Sequence, residues 1–327
     1  MSSDSSKIAN SLKQGDLALV VGATGFIGQH LVSALQQNGY RVRVYSRRNF
    51  SQSTLPGVAS ADWFTGALED AETLTKACAG VAAVFHLANI AHVNTPDAGV
   101  LLRVNVAGTE AVCRACLGAG VSRLVYFSSS LATDPARSTY AESKRAAERL
   151  VLAAGNDEAA AFHVTVLRPV NVYGEGMRGN IAGLIRRIVK GSIPPLPRLQ
   201  NRLALISVAD LCRAALAAAA GKQPSGKIYT LADGEAYTPN RLEAAVYAAT
   251  GRKRPGWHSP RVIFYAAAAA AQLADRTGIW KNDLGLRTYH NLVSDQAGSS
   301  DGFANDFDFK PSQSLESELP RILHSLG

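Results

Sequence analysis

Cysteine is scarce in this chain, which has four in 327 residues. Cys78, Cys113, Cys116 and Cys212 are too few and too widely spaced for a disulfide framework in a chain of this length. The pair Cys113-x-x-Cys116 lies in a segment with helical periodicity and has neither a second CxxC partner nor a thioredoxin-like context. We therefore expect buried free thiols rather than a redox centre, and we predict no metal site.

Long apolar runs are also missing. The longest, from Val262 to Ala271, is shorter than the ~20 residues that a membrane-spanning helix requires. The first sixteen residues are mainly polar and lack the apolar core of a signal peptide. The sequence therefore predicts a cytoplasmic protein with no membrane partner and with a disordered extension over residues 1–16.

Acidic residues are in the minority, with 26 Asp and Glu against 34 Lys and Arg, for a formal charge of +8. The basic residues are scattered, and no helix carries a single basic stripe. This distribution predicts an ordinary basic surface or the binding of a small phosphorylated substrate, and it argues against a nucleic-acid partner. Hydrophobic residues make up 47% of the chain, which is typical of a globular protein with one large or two unequal domains.

A glycine-rich turn lies close to the start of the chain, between an apolar run and an amphipathic helix. It contains Gly22, Gly25 and Gly28. A strand, a turn and a helix in this order bind nucleotide phosphates through free backbone N–H groups, and Phe26 and Ile27 supply those groups here. The spacing is G-x-x-G-x-x-G rather than G-x-G-x-x-G, so the glycines alone are weak evidence for a dinucleotide.

Strands alternate with helices from residue 17 to about residue 170. The predicted strands are almost continuously apolar, which is typical of a parallel sheet covered by helices on both faces. We therefore predict an α/β fold with a Rossmann-type doubly wound parallel sheet over residues 17–175. A smaller, mixed C-terminal substrate lobe is predicted over residues 176–327, and strands or helices can be exchanged between the lobes. Within that lobe, the stretch after Gln296 is predicted to be a loop, followed by a last helix from about Leu315.

Ser130, Tyr140 and Lys144 form a candidate catalytic group. Ser130 ends a polar run after a predicted strand, and Tyr140 and Lys144 lie at i and i+4 on one helix face. An ammonium group beside a phenol lowers the phenol pKa from ~10, which lets the tyrosine take a proton from an alcohol. The alternative is a tyrosine that starts a helix and a lysine that is merely solvated. The adjacent serine cluster and the glycine turn favour catalysis.

Together these segments resemble an extended short-chain dehydrogenase/reductase of the NAD-dependent epimerase/dehydratase group. The matching segments are the glycine turn and residues 85–88, 104–109, 127–130, 140–144, 168–174 and 309–311. The resemblance implies that Ser130, Tyr140 and Lys144 are catalytic and that the last two also contact the cofactor. The further cofactor contacts that it implies are Leu68, Leu87, Ala88 and Pro169.

The end of the second predicted strand bears on the choice between NAD and NADP. An acidic residue there binds a ribose diol and repels a 2′-phosphate, but this chain has Ser46 followed by Arg47 and Arg48. Guanidinium groups match phosphate geometry, so NADP is slightly favoured over NAD, with two surface arginines beside an NAD as the alternative. The family's usual Gly-Asp-Leu segment has Ala67 in place of the aspartate, which removes a carboxylate contact to the adenine.

The resemblance to nucleotide-sugar epimerases of surface-polysaccharide pathways implies a set of substrate contacts. These are Asn89, Ser130, Asn171, Asn180 and Arg202. The family's arginine for the substrate phosphate falls on Leu203 in this chain, and the adjacent Arg202 would point the other way on an extended segment. Either the register slips locally, or a diphosphate is not bound in the usual way.

The leading hypothesis is an NAD(P)-dependent nucleotide-sugar 4-epimerase that acts on a UDP-hexose or UDP-N-acetylhexosamine by transient oxidation at C4. A 4,6-dehydratase is disfavoured, because Leu131 and Ala132 replace the Asp-Glu pair which that chemistry needs. The alternative is an NADP-dependent reductase or dehydrogenase of a carbonyl or hydroxyl substrate, including the hydroxysteroid type, which Leu203 and the two arginines favour. A non-catalytic dinucleotide sensor is a third hypothesis, against which the intact catalytic group argues. The family also implies a homodimer through the helices at 98–119 and 141–155.

Overall fold

A computed structural model describes residues 11–90, 97–156, 161–276, 286–296 and 298–326. The strands in these residues are β1 (Leu17–Val21), β2 (Arg41–Ser46), β3 (Trp63–Thr65), β4 (Ala83–His86), β5 (Arg123–Phe127), β6 (His163–Pro169), β7 (Asn171–Tyr173), β8 (Leu205–Ser207) and β9 (Lys227–Leu231). The α-helices are α1 (Phe26–Gln37), α2 (Ala71–Cys78), α3 (Ala98–Leu101), α4 (Gly108–Gly118), α5 (Thr139–Gly155), α6 (Asn180–Lys190), α7 (Val208–Ala220), α8 (Pro239–Ala249), α9 (Arg261–Arg276), α10 (Leu286–Val293), α11 (Asp301–Phe307) and α12 (Leu315–Leu326).

Seven parallel strands form one sheet, in the order β3-β2-β1-β4-β5-β6-β9. Every residue of β1, β4, β5 and β6 is buried, because helices cover the sheet. This is the doubly wound α/β fold that the sequence predicted. The strand order reverses between β1 and β4, and ligands of such sheets bind at this switch point, beyond the carboxyl ends of the strands.

The chain divides into two compact units. The larger unit combines the chain up to Val170 with Val208–Leu231 and Ser300–Lys310, so it contains the whole seven-stranded sheet. The smaller unit combines Asn171–Ser207, Ala232–Ser299 and the chain from Pro311 onward. In the larger unit Leu12 is buried and its N–H donates to the Ala219 carbonyl, whereas residues 1–10 of the predicted extension lie outside the described residues.

Polar side chains set the starts of several helices. The Asp70 carboxylate accepts the Thr73 N–H at the start of α2, and the Ser138 hydroxyl accepts the Ala141 N–H at the start of α5. Each interaction satisfies a backbone donor that has no partner within the helix. The cap at Ser138 fixes the beginning of α5, the helix that carries Tyr140 and Lys144.

In the smaller unit, β7 and β8 pair in parallel, with Asn171 opposite Leu205. A buried carboxylate joins three segments of this unit: Glu243 on α8 accepts the Leu196 N–H at 2.7 Å and pairs with Arg254 at 2.8 Å. Among the described residues, no helix is long and apolar enough to cross a membrane.

The structure corrects two sequence-based expectations about helices. The predicted helix over 98–119 is interrupted by a π-helical turn at Leu102–Ala107. The predicted loop after Gln296 contains α11, because Phe303 is buried and stacks on Phe307 with 4.2 Å between ring centroids. The residues that lead into this helix are rich in Gly and Ser, so the sequence pattern there does not indicate a helix. Tertiary contacts between aromatic rings stabilise the helix instead. All four cysteines are buried, as predicted.

Candidate active site

The glycine turn after β1 has the shape that a dinucleotide phosphate requires. Gly22 has φ of 92°, and a Cβ there would lie 2.7 Å from the Ala88 amide nitrogen. A Cβ at Gly28 would lie 2.8 Å from Ala23 Cα, so α1 packs directly against the turn. Gly25 is exposed and precedes α1, whose first N–H groups receive no side-chain cap. These groups, which include those of Phe26 and Ile27, are therefore open to an anion.

At the carboxyl end of β2, Ser46 is buried and organises the chain around it. Its hydroxyl lies 3.1 Å from the Thr24 hydroxyl and accepts the Arg48 N–H at 3.0 Å. The Trp63 indole N–H donates to the Arg48 carbonyl at 2.9 Å. Arg47 and Arg48 are both exposed. The backbone of this basic pair is thus held in place while its guanidinium groups can reach an anion.

The segment that follows β3 lacks the aspartate that is usual in the family, but contacts with neighbouring side chains hold its backbone in place. The Tyr45 hydroxyl donates to the Ala67 carbonyl at 2.6 Å, and Leu68 is buried beside Gly108, where a Cβ would lie 3.1 Å from the Leu68 Cβ. The other two segments with predicted cofactor contacts also lie at carboxyl ends of strands. Leu87 and Ala88 follow β4, and Pro169 ends β6.

Lys144 is fully buried on α5 and has two partners on β5. Its Nζ donates to the Phe127 carbonyl at 2.7 Å and to the Tyr126 hydroxyl at 3.2 Å, and it lies 4.8 Å from the Tyr126 ring centroid. Burial lowers the pKa of Lys144 to about 7, although the carboxylate of Glu148 acts in the opposite direction. A lysine has three N–H donors, so one is left for a ribose hydroxyl.

Tyr140 is buried on the same helix, and burial raises the pKa of its phenol to about 12. A hydrogen bond with Ser129 offsets part of that effect. The predicted lowering of this pKa by Lys144 is therefore wrong for the protein without cofactor, because desolvation dominates and the ammonium group donates to Tyr126 and Phe127. At neutral pH the Tyr140 hydroxyl is protonated, and it can donate a proton to a carbonyl oxygen.

The three serines after β5 differ in their surroundings. Ser128 is buried, and its hydroxyl donates to the Glu148 carboxylate at 2.6 Å. Ser129 hydrogen-bonds Tyr140 and also accepts the Leu131 N–H at 3.2 Å. Ser130, the predicted catalytic serine, is half-buried at the start of a short 3-10 turn. The structure thus adds Ser129 as a hydroxyl that contacts Tyr140.

Asn105 is a functional candidate that the sequence-based site did not include. It is buried in the π-helical turn, where its carboxamide accepts the Ile90 N–H at 2.8 Å and donates to the Ser143 hydroxyl at 3.1 Å. It therefore connects the segment after β4 to α5, one residue before Lys144. The sequence indicated Asn105 only through the segment at 104–109, which resembles the family but to which the resemblance assigned no role.

The predicted substrate residues are divided between the two units. Asn89 lies in the larger unit and donates to the Leu87 carbonyl at 2.8 Å. Asn171, Asn180 and Arg202 lie in the smaller unit. The Asn171 carboxamide donates to the Ala204 carbonyl at 3.2 Å and to Gln296 Oε1 at 2.5 Å. The predicted cofactor contacts therefore lie in the larger unit. Most of the predicted substrate contacts lie in the smaller unit.

Arg202 and Leu203 alternate on an extended segment, as predicted. Leu203 is buried, and its N–H donates to the Tyr237 carbonyl at 2.9 Å. Arg202 is exposed, and its backbone N–H donates to the Asp295 carboxylate at 2.8 Å. Asp295 also lines a cavity of about 370 Å³ in the smaller unit, together with residues 199–201 and Arg261. The local register therefore does not slip to bring Arg202 into the buried position.

A profile of the NAD-dependent epimerase/dehydratase family matches residues 18–232, from β1 to the residue after β9. The chain belongs to this family. Relatives of the chain include the ceramide reductase of Caulobacter vibrioides, which is 34% identical over 58% of this chain and 57% of that protein. The 2-alkyl-3-oxoalkanoate reductase of Stenotrophomonas maltophilia is 27% identical over 93% of this chain and 97% of that protein.

Among solved structures, MoeE5 in complex with UDP-glucose and NAD is similar to this chain. It has a TM-score of 0.74 and 26% identity, and the match covers 96% of this chain and 100% of MoeE5. The family and these relatives establish that the protein is an enzyme of the short-chain dehydrogenase/reductase type that uses a nicotinamide dinucleotide.

Proposed function

We propose that this family member is an NADP-dependent reductase or dehydrogenase whose substrate presents a ketone or a secondary alcohol on an apolar body. The observation that carries the proposal is Leu203, a buried apolar side chain at the position where the resemblance to nucleotide-sugar epimerases predicts an arginine for the substrate phosphate. A buried leucine offers a diphosphate no charge, so this position suits an uncharged substrate better.

The names of the relatives support the same substrate class. One relative is named as a reductase of ceramide and another as a reductase of 2-alkyl-3-oxoalkanoates. The second match extends over nearly the full length of both chains, so it includes the smaller unit. We infer from this a lipid-like ketone or alcohol, including the hydroxysteroid type, as the substrate of this chain.

The protonation states of the site suit ketone reduction. When bound, NADPH supplies a hydride to the carbonyl carbon. The Tyr140 phenol, which is protonated at neutral pH, donates its proton to the carbonyl oxygen, and Ser130 or Ser129 orients that oxygen by a hydrogen bond. Lys144 would hold the cofactor ribose with its remaining donor, and the hydrogen bond with Ser129 would stabilise the phenolate that forms.

The arrangement at the end of β2 supports NADP over NAD. The side chain that follows Tyr45 is the small Ser46 rather than a carboxylate, and Arg47 and Arg48 are exposed just beyond it. A 2′-phosphate would meet two guanidinium groups and no negative charge at this point. The Thr24 and Ser46 hydroxyls add hydrogen-bonding capacity beside them.

A nucleotide-sugar 4-epimerase remains the second candidate, and the MoeE5 complex with UDP-glucose and NAD favours it. In that case Asn89, Asn171, Asn180 and Arg202 would contact the sugar nucleotide. Tyr140 would remove the proton of the 4-hydroxyl group during transient oxidation at C4. A role in surface-polysaccharide synthesis would follow from that activity.

The experiment that separates the two candidates uses purified protein and two substrate panels. With NADPH and medium- or long-chain 3-oxo compounds or 3-ketosteroids, we expect oxidation of one NADPH for each ketone reduced. With UDP-glucose or UDP-N-acetylglucosamine and no added ketone, we expect no C4 epimer. Interconversion of the UDP-sugars without net NADPH oxidation would favour the epimerase over the reductase.

We also propose a homodimer formed through α4 and α5, as the family resemblance implies. The chain has a mass of 34.5 kDa, so light scattering should give about twice this value. A mass equal to that of one chain at micromolar concentration would refute the dimer.

A further inference from the structure

One face of α9 is both apolar and exposed. Val262 is 77% exposed, Ile263 59% and Leu273 64%. Between them on the same face lie three further exposed residues, Ala266, Ala267 and Ala270. The spacing i, i+1, i+4, i+5, i+8 and i+11 follows the period of an α-helix, so these side chains form one stripe. A surface helix normally turns its polar face outward, whereas the exposed side chains of this stripe are apolar.

Exposed apolar side chains are concentrated around this helix. In the part of the chain that the structure describes, nine large apolar side chains are exposed, and five of them lie between residues 257 and 273. They include Trp257, which is 57% exposed and precedes α9 by four residues. A contiguous apolar patch of this kind marks a contact surface rather than the scattered exposure of an ordinary surface. We call Trp257 and the stripe from Val262 to Leu273 the α9 face.

The sequence that leads into α9 carries positive charge without negative charge, whereas Asp275 lies near the end of α9 and Asp295 lines a cavity with Arg261. No acidic residue occurs from 244 to 274, whereas Arg252, Lys253, Arg254 and Arg261 lie in this stretch. Arg252, Lys253 and Arg261 are exposed, and Arg254 pairs with the Glu243 carboxylate.

A second basic segment lies next to the first. The Arg252 guanidinium donates to the Ile188 carbonyl at 3.1 Å and to the Val189 carbonyl at 2.7 Å, at the end of α6. Arg186 and Lys190 are exposed in the same part of α6, and no acidic residue occurs from 176 to 209. The end of α6 and the segment that leads into α9 at Arg261 thus form one basic region of the smaller unit, which we call the basic border.

We propose that the α9 face docks this protein onto an anionic lipid bilayer, with α9 lying in the plane of the membrane–water interface. Apolar side chains with a tryptophan at their edge insert at the level of the headgroups, and neighbouring Lys and Arg residues attract anionic lipids. Binding at the membrane surface agrees with the length of α9, which is too short to cross a bilayer. The sequence-based expectation of no membrane partner considered only a spanning helix, and this proposal revises it.

Charge complementarity favours a bilayer over a second copy of the chain. Two copies joined through their α9 faces would bring the basic borders of both copies together, and like charges at an interface oppose association. An anionic lipid surface supplies the opposite charge at every border position. Docking does not depend on the proposed reductase activity, although a bilayer is also where an apolar substrate would be held.

The test is sedimentation of the full-length protein with sucrose-loaded vesicles, without cofactor or substrate. One set of vesicles is pure phosphatidylcholine, and the other contains 30% phosphatidylglycerol, roughly the anionic fraction at which surface attraction is strong. We expect binding to the anionic vesicles, and we expect it to weaken at 1 M salt, where the Debye length falls to about 3 Å. The double variant Val262→Glu/Ile263→Glu should bind at least about tenfold more weakly, because it places two carboxylates on the apolar stripe.

The matched control is Ala71→Glu, which adds a carboxylate at an exposed apolar residue on α2 in the larger unit, outside the proposed dimer helices. It should bind the vesicles like the wild type. Trp257 gives a second readout that does not depend on the folding of the double variant: its emission should shift to the blue with anionic vesicles, and Trp257→Phe should abolish the shift. Equal binding by the wild type and the double variant would overturn the proposal. So would wild-type protein that binds no vesicles but loses a dimer on substitution of the α9 face, since that face would then join two copies.

Discussion

Glu148 and Arg168 form a buried, bidentate ion pair between α5 and β6. Arg168 Nε lies 2.7 Å from Glu148 Oε1, and Arg168 Nη2 lies 2.6 Å from Glu148 Oε2. Glu148 also accepts the Ser128 hydroxyl and lies one helical turn after Lys144. The pair therefore fixes the catalytic helix against the carboxyl end of the sheet, and it supplies the negative charge that opposes the loss of the Lys144 proton.

Replacing Glu148 with glutamine should lower the free energy of unfolding by about 3–5 kcal/mol, because a buried guanidinium group loses its charge partner. Urea denaturation measures this change. The control is Glu316→Gln, which breaks an exposed pair with Arg241 that is also 2.7 Å long. The exposed pair should contribute about 1 kcal/mol or less. Equal losses in the two variants would contradict the role of burial.

Gly28→Ala should impair cofactor binding without unfolding the protein. The added Cβ would lie 2.8 Å from Ala23 Cα, so the turn that faces the phosphates must move. We expect the dissociation constant for NADPH to rise about tenfold or more, which corresponds to one lost charged hydrogen bond or more. Isothermal titration calorimetry measures it. Gly118→Ala on α4 is the control, since a Cβ there meets no heavy atom within 4 Å, and unchanged binding by both variants would refute the close packing of the turn.

The double variant Arg47→Glu/Arg48→Glu should separate the two cofactors. We expect affinity for NADPH to fall by about tenfold to a hundredfold, because carboxylates replace the groups that meet the 2′-phosphate. Affinity for NADH should change much less. Fluorescence titration with each cofactor checks the result, and Arg41→Glu, at the opposite end of the same strand, is a charge-reversal control. An equal loss for both cofactors would show that the two arginines do not recognise the 2′-phosphate.

The two directions of the reaction should differ in their pH dependence. Alcohol oxidation needs the Tyr140 phenolate, and burial raises the pKa of this phenol to about 12. Its deprotonated fraction therefore rises about tenfold for each pH unit below that value, so kcat/KM for oxidation should climb from pH 7 to pH 10 without a plateau. Ketone reduction uses the protonated phenol, so it should not rise over this range, and the loss of the Lys144 proton above a pKa of about 7 should lower it. A plateau of the oxidation rate below pH 8 would contradict the raised pKa.

The fold and the positions of the candidate catalytic residues on α5 were predictable from the sequence, because strong local patterns specify them. The apolar strands, the glycine turn and the i, i+4 pair of Tyr140 and Lys144 all depend on residues close together in the chain. The helix α11 was not accessible, since it is stabilised by contacts of Phe303 with other aromatic rings, including Tyr229. The short strands β7 and β8 depend on pairing between residues more than thirty positions apart.

The electrostatics predicted for the candidate site differ from those in the structure. Sequence spacing places Lys144 and Tyr140 on one face, but it does not reveal that Lys144 donates to Tyr126 and Phe127. It also does not reveal how deeply both residues are buried, and burial determines the direction of both pKa shifts. The exposed stripe on α9 was equally hidden, because an alanine-rich apolar run is typical of a packed helix.

The central claim is that Tyr140 protonates a ketone while NADPH is consumed, and a single-turnover experiment with NADPH deuterated at the transferable position tests it most directly. With a long-chain 3-oxo substrate, the account predicts one deuterium on the carbinol carbon for each NADPH oxidised. Tyr140→Phe should lower this rate by about 10²–10⁴ and leave NADPH affinity unchanged. The account would be contradicted if no ketone acquired deuterium while UDP-glucose was converted to its C4 epimer without net oxidation of NADPH.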